Sequence, residues 1–166
     1  MFGKVDIEWV YPYKCKELNI NFDEFVNQTI NKYIEFINEI SKFVNIIYVM
    51  GLHLPSLNET DMLHCINTHS AIVDVSSKAM IDTNLNLITQ IGCLETRTQQ
   101  IFYFNKKLKE KISININKCK YIDINDELLD KNTNTCKQKF IANLDHHLIR
   151  NETGLVWFNT HLKSAF

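Results

Sequence analysis

No stretch of this 166-residue chain holds the roughly 18 consecutive apolar residues that a bilayer span requires. Ahead of the first element there is no basic region followed by an apolar run, so no signal peptide is read. Charge of one sign is also missing. The net charge is −1, which gives no electrostatic case for a nucleic-acid partner or an anionic membrane surface. Arginine is nearly absent, with Arg97 and Arg150 alone, so lysine carries almost all the positive charge. No C-x-x-C pair occurs. The five cysteines (Cys15, Cys65, Cys93, Cys119 and Cys136) lie far apart and their number is odd. Free thiols in a reducing, cytoplasmic compartment are therefore expected. The glycosylation-type triplets at Asn27, Asn58 and Asn151 are read as accidents of an Asn-rich chain without a secretory signal.

What is present suits one globular domain. Hydrophobic residues make up 45% and charged ones 22%, enough of each for a buried core under a solvated surface. Val5, Ile7 and Trp9 alternate with Lys4, Asp6 and Glu8. That period of two predicts either a strand or the loop leaving one, with Gly3 at the turn and Pro12 closing it. Residues 21–43 carry the clearest helix pattern, with Phe22, Phe25, Val26, Ile30, Tyr33, Ile34, Ile37 and Ile40 at three- and four-residue spacing. Asn21 is positioned to cap it, and Glu24 stands where a capping-box partner belongs.

Residues 44–50 follow as a β-branched run ending at Gly51, which predicts a buried strand. Residues 52–57 then form a loop at that strand's C-terminal end. It is either a surface loop or, as in open α/β sheets, a place for ligand-binding groups such as His53 and Ser56. Residues 59–66 predict a helix and 72–75 a short strand. His64 and His69 are five apart, which does not stack them on one helical face. Residues 94–112 predict a second long helix, with Thr98, Ile101, Phe102, Asn105, Leu108 and Ile112 on one side. Lys106, Lys107, Lys109 and Lys111 are expected late in it, complementing its dipole. Residues 121–124 read as a second strand, 131–137 as a polar loop, and 155–162 as a short amphipathic helix.

Helix, strand, helix, strand, helix is the α/β pattern, with crossovers long enough for parallel strands. Two strands are few against the usual 4–6 or so in a sheet. Either the middle region supplies more, or the chain is part of a larger domain.

The chemistry-bearing residues crowd at Asp145-His146-His147. A carboxylate beside an imidazole is a general-base unit, because the carboxylate orients the ring and stabilises its protonated form. Two other uses exist for the stretch: Asp145 as a cap for the last helix, or a metal site with His161 or His53. Adjacent histidines on extended chain face opposite ways, which argues against the metal. No metal or other cofactor is expected.

Four segments in order, Phe2-Gly3-Lys4-Val5-Asp6, Arg97 leading to Phe104-Asn105-Lys106-Lys107-Leu108, Tyr121-Ile122-Asp123-Ile124-Asn125-Asp126, and Asp145-His146-His147-Leu148, together resemble the C-terminal half of SGNH (GDSL-type) hydrolase-like proteins. The resemblance implies a flavodoxin-like three-layer α/β sandwich with a parallel sheet, incomplete because its N-terminal strands are missing. It implies ester hydrolysis or acyl transfer, on carbohydrate esters by analogy with the family. Gly3 and Asp6 would occupy the third, oxyanion block, where Val5 stands in place of the family's Asn. Asp145 would pair with His147 or His146 as the base. The spacing is one residue shorter than the family's Asp-x-x-His, and Leu148 favours His147. The serines (Ser41, Ser56, Ser70, Ser76, Ser77, Ser113 and Ser164) lie in no Gly-Asp-Ser or Gly-x-Ser-x-Gly context. The nucleophile would come from an upstream or partner polypeptide, or the chain is a non-catalytic binding or structural protein built on that fold. The expected partners are a small-molecule or glycan ester and a second copy or partner chain covering the open sheet edge; neither nucleic acid nor membrane is expected.

Overall fold

Asn21 starts the first long element through a reciprocal cap. Its side chain accepts from Glu24 N at 2.9 Å, and the Glu24 carboxylate accepts from Asn21 N at 2.9 Å. Two of the four amides that a helix start leaves without intrahelical partners are satisfied this way. The structure is a computed structural model that describes residues 7–8, 11, 18–62, 92–143 and 147–163. They divide into two units: Met1–His53 with Gln99–Ile124, and Leu54–Thr98 with Asn125–Phe166.

In the first unit, α1 (Phe22–Ser41) buries Phe25, Val26, Ile30, Ile34 and Ile37, the three- and four-residue stripe of the sequence. β1 (Ile47–Met50) follows, and after it α2 (Leu94–Asn115) and β2 (Cys119–Ile122). The two strands pair in parallel, Ile47 opposite Cys119 through Met50 opposite Ile122. α2 buries Ile101, Phe104, Asn105, Leu108 and Ile112. Phe104 lies deep where Phe102 had been expected; Phe102 is half-buried. One face of β1 carries the fully buried Val49, whereas Tyr48 and Met50 on the other are 56% and 50% exposed. A strand buried on both sides was expected, and this one is open on one side. β1 also begins at Ile47 rather than residue 44, and β2 at Cys119 rather than Tyr121. Lys118 explains part of that offset: its Nζ donates to the carbonyls of Ser41 and Val44, at 2.7 and 3.2 Å, tying the lead-in to β1 down outside the sheet.

The α2 lysines are not at its end. The helix runs on to Asn115, and its last turn holds no basic residue. Lys107 instead meets α1, with Nζ 3.3 Å from Asp23 Oδ1. The Tyr103 hydroxyl donates to that same oxygen, and Asn27 Nδ2 donates to Asp23 Oδ2 at 3.0 Å. The Tyr103 hydrogen bond and the Lys107 ammonium hold the Asp23 carboxyl below its ordinary range near 3.8.

In the second unit, α3 (Asn125–Leu128) leads into β3 (Leu129–Asp130) and β4 (Thr135–Cys136), an antiparallel hairpin. The polar stretch 131–137, expected as loop, closes this hairpin. Asp130 Oδ1 accepts from Asn132 N, Asp130 O accepts from Asn134 N (both 2.8 Å), and Asn134 takes a positive φ of 54°. Asn tolerates that left-handed conformation better than most residues. A 3₁₀ turn (Gln138–Phe140) buries Phe140. α4 (Arg150–Trp157) then passes into a π-helical turn (Phe158–Leu162), with Lys163 N bonded to Phe158 O at 2.8 Å. α4 begins five residues before the expected 155. Ile149 occupies its cap position without a side-chain cap hydrogen bond; Asp145, considered as a cap in the sequence, lies outside the described residues.

The described residues are thus mixed α/β with one small parallel sheet. Among them no helix is long and apolar enough to cross a membrane. The expected strands at 1–10 and 72–75, and His64 and His69, fall wholly or largely outside the described residues.

Two glycines make contrasting predictions. A Cβ at Gly51 would collide with Tyr121 Oη and lie 2.9 Å from Asp123 Cβ, whereas one at Gly154, inside α4, meets nothing within 4 Å. Gly51→Ala should destabilise by about 1–3 kcal/mol, as overpacking does. Gly154→Ala should stabilise by about 0.5–1 kcal/mol, the cost of glycine within a helix. Urea midpoints of the two variants should move in opposite directions.

Asp23 gives a pH signature. Its folded pKa is depressed, so its contribution is complete above the ordinary carboxylate value and is lost as pH falls through the folded value. Tyr103→Phe removes the largest cause. The stability difference between wild type and Tyr103→Phe, measured by urea titration, should shrink between neutral pH and about pH 3. A constant difference would contradict this assignment.

Candidate functional site

The site region is built from the end of β1. Gly51 N still donates to Ile122 O at 2.9 Å, so the ladder with β2 extends one residue past the strand. Leu52 then leaves the sheet while staying 9% exposed, and its backbone donor and acceptor need partners out of water. Asn105 supplies both. Its Oδ1 accepts from Leu52 N and its Nδ2 donates to Leu52 O, each at 2.8 Å. A side-chain amide has the donor and acceptor of a peptide group, so Asn105, 5% exposed, acts as one more strand neighbour.

The loop does not run over the surface. Gly51, Leu52, Leu54, Pro55, Ser56 and Leu57 are all buried, and His53 alone in that run keeps a half-buried side chain. The surface-loop alternative is therefore wrong for these residues. Tyr121 covers Gly51, and burial together with the Asp123 carboxylate pushes its phenol well above the ordinary tyrosine range.

In the second unit, Arg97, only 1% exposed, performs a related task. Its Nη2 donates to Leu57 O at 2.6 Å and its Nε to Gly92 O at 3.4 Å, and Glu59 lies 3.9 Å from Nη2. Glu59 also accepts from Leu94 N at 2.6 Å, placing a carboxylate at the positive end of α2. Asn58 starts the helical turn 59–62: Asp61 N donates to its Oδ1 at 2.9 Å, and its Nδ2 donates to Asp61 Oδ2 at 2.8 Å; the rest of the helix expected over 59–66 lies outside the described residues. Arg97, Ile101, Asn105, Leu108 and Ile112 share one side of α2. The polar members of that stripe are the ones that hold backbone.

Of the residues singled out in the sequence, Gly3, Asp6, Asp145 and His146 lie outside the described residues. His147 is described and exposed. It stands one residue before Leu148, which bridges Ile141 in antiparallel fashion, and Ile149 N donates to Phe140 O at 2.8 Å. The backbone just after His147 is thus fixed against the Gln138–Phe140 turn. Among the described residues no three His, Cys, Asp or Glu side chains gather as a metal cage would require. Cys93, Cys119 and Cys136 are free thiols, exposed, half-buried and buried in turn.

Comparison with family models, curated proteins and solved structures yields no match to this chain.

The backbone-holding roles of Asn105 and Arg97 escaped the residue-by-residue reading. The available signal was a polar residue inside an apolar helical stripe. Asn105→Ala should lower stability by about 2–4 kcal/mol, since it strands a buried N–H and a buried C=O together. Exposed Lys106→Ala, next to it, should stay within about 0.5 kcal/mol of wild type. Equal urea midpoints for the two variants would remove the clamp from the account.

Proposed function

We propose that this chain is an SGNH (GDSL-type) hydrolase-like domain of flavodoxin-like type, an esterase or acyl-transfer module for small-molecule or carbohydrate esters. The observation that carries the reading is where the resembling segments fall. Asn105 and Tyr121, both within them, are residues that hold or cover the backbone leaving β1. In open α/β sheets, ligands bind beyond the C-terminal ends of parallel strands. A family-like segment is expected to maintain that end.

The roles follow from the chemistry. His147, oriented by Asp145, takes the proton of a serine hydroxyl as its oxygen attacks the ester carbonyl. The protonated ring then returns that proton to the leaving alcohol. By the resemblance, Gly3 and Asp6 belong to the oxyanion block, and a group near Gly3 helps bind the oxyanion. No serine of the 166 residues stands in a nucleophile motif, so the nucleophile is a serine of this chain outside those motifs or one from an upstream or partner segment.

One observation favours a non-catalytic binding role instead. Parallel sheets are almost always covered on both faces, and the Tyr48 and Met50 face of β1 is open.

Hydrolysis of p-nitrophenyl acetate by wild type, His147→Ala and Asp145→Asn decides between the two readings. The hydrolase reading expects turnover above buffer that falls roughly 10²- to 10⁴-fold in His147→Ala, the usual worth of a general base. Identical rates for all three proteins would leave the binding role, or a half-module whose serine lies on another polypeptide.

A further inference from the structure

The parallel sheet of the first unit has one face open to water. Ile46, just ahead of β1, and Tyr48 and Met50 within it are 45%, 56% and 50% exposed. The register sets Lys120 beside Tyr48 and Ile122 beside Met50, so β2 adds an exposed lysine and a half-buried isoleucine to the same face. Lys120 Nζ stands 6.0 Å from the centre of the Tyr48 ring. Parallel sheets are almost always covered on both faces, and contiguous exposed apolar side chains mark a place where another surface packs.

Charge tells which surface fits. Residues 43–52 hold no charged group, and residues 112–122 hold only Lys118 and Lys120, in a chain with 19 Asp and Glu. Lys118 donates to the neutral carbonyls of Ser41 and Val44, which leaves its charge uncancelled. Lys42, at the approach to β1, is already matched by Glu39 at 2.6 Å. Asp123, the first acid after β2, is turned to Tyr121 above Gly51. The described part of the open face is thus apolar in its middle and positive along β2. A second copy docked face to face would set lysines against lysines with no carboxylate between them. Two lysines are also few against the roughly 4–8 of a segment that holds an anionic bilayer. A helix is the element that covers a parallel sheet, and acidic residues on its flank supply the missing charge.

We infer that the open face of β1 and β2 is the docking surface for an amphipathic helix of a partner protein, apolar along one stripe and acidic along its flank. The stripe packs on Ile46, Tyr48, Met50 and Ile122, and a flanking carboxylate meets Lys120. The inference rests on this face and its charge, independently of any ester chemistry.

The probe is a labelled peptide of about 20 residues, long enough to hold a helix, with leucines at three- and four-residue spacing and glutamates on the flanks. Its fluorescence anisotropy, titrated with the full chain, should saturate. Affinity should fall roughly tenfold or more in Met50→Asp, which sets a carboxylate in the apolar contact. It should fall roughly three- to tenfold in Lys120→Glu, and likewise when lysines replace the glutamates of the peptide. Met50 and Lys120 are both exposed, so neither variant threatens the fold. Absence of saturable binding, or equal affinity in wild type and Met50→Asp, overturns the inference. Sedimentation of the chain alone and with phosphatidylserine vesicles covers the other occupants. A dimer or a vesicle complex that Met50→Asp abolishes assigns the face to that occupant and overturns the inference as well.

Discussion

A chain that leaves a β-strand without reaching water carries its peptide groups with it, and each must find a partner. At Leu52 that requirement is met by one side chain, Asn105, which satisfies the amide and the carbonyl together. Much of the surrounding geometry follows from it. α2 must present position 105 toward the end of β1, so Ile101, Leu108 and Ile112 on the same side are drawn into the core. In the second unit, Arg97 meets the requirement of another buried carbonyl, Leu57 O. A guanidinium buried to this degree is costly unless its donors are used, and its contacts with Leu57 O, Gly92 O and Glu59 use them.

Legibility in the sequence tracked how local the deciding physics is. The Asn21 and Glu24 cap is contained within four residues, and α1 appears with that cap in place. α2 and the two parallel strands were visible because their periodicities are long or their apolar runs are bounded. The hairpin at 129–136 was hidden because its strands are two residues each and its turn is made by Asp130 and Asn134 backbone geometry. The start of β1 depended on Lys118, more than seventy residues away, holding the carbonyls of Ser41 and Val44. The backbone at Leu52 and at Leu57 is held by side chains of α2, Asn105 and Arg97. No local pattern in an apolar, proline-containing segment announces such distant partners.

The candidate chemistry divides along the same line. Asp145-His146-His147 was conspicuous in the sequence as a cluster of residue types, yet only His147 among them is described, at an exposed position before the Ile141 and Leu148 bridge. His53 drew attention only through its place after a strand. The structure adds what residue type could not, namely that it is the half-exposed exception in a buried run.

The end of the chain holds a different kind of record. A π-helical turn accommodates one residue more than a regular α-helix, at the cost of a poorer hydrogen-bond geometry. Between Phe158 and Leu162 that surplus widens the backbone, and the Trp157 and His161 rings meet at a tilt of 40° with centres 5.2 Å apart. Removing one residue there would restore the α-helical bonding pattern. It would also turn everything downstream by about 100° around the helix axis, one residue's share of a 3.6-residue turn. The turn therefore works as a phase shift: it sets the direction in which Lys163 leaves the helix.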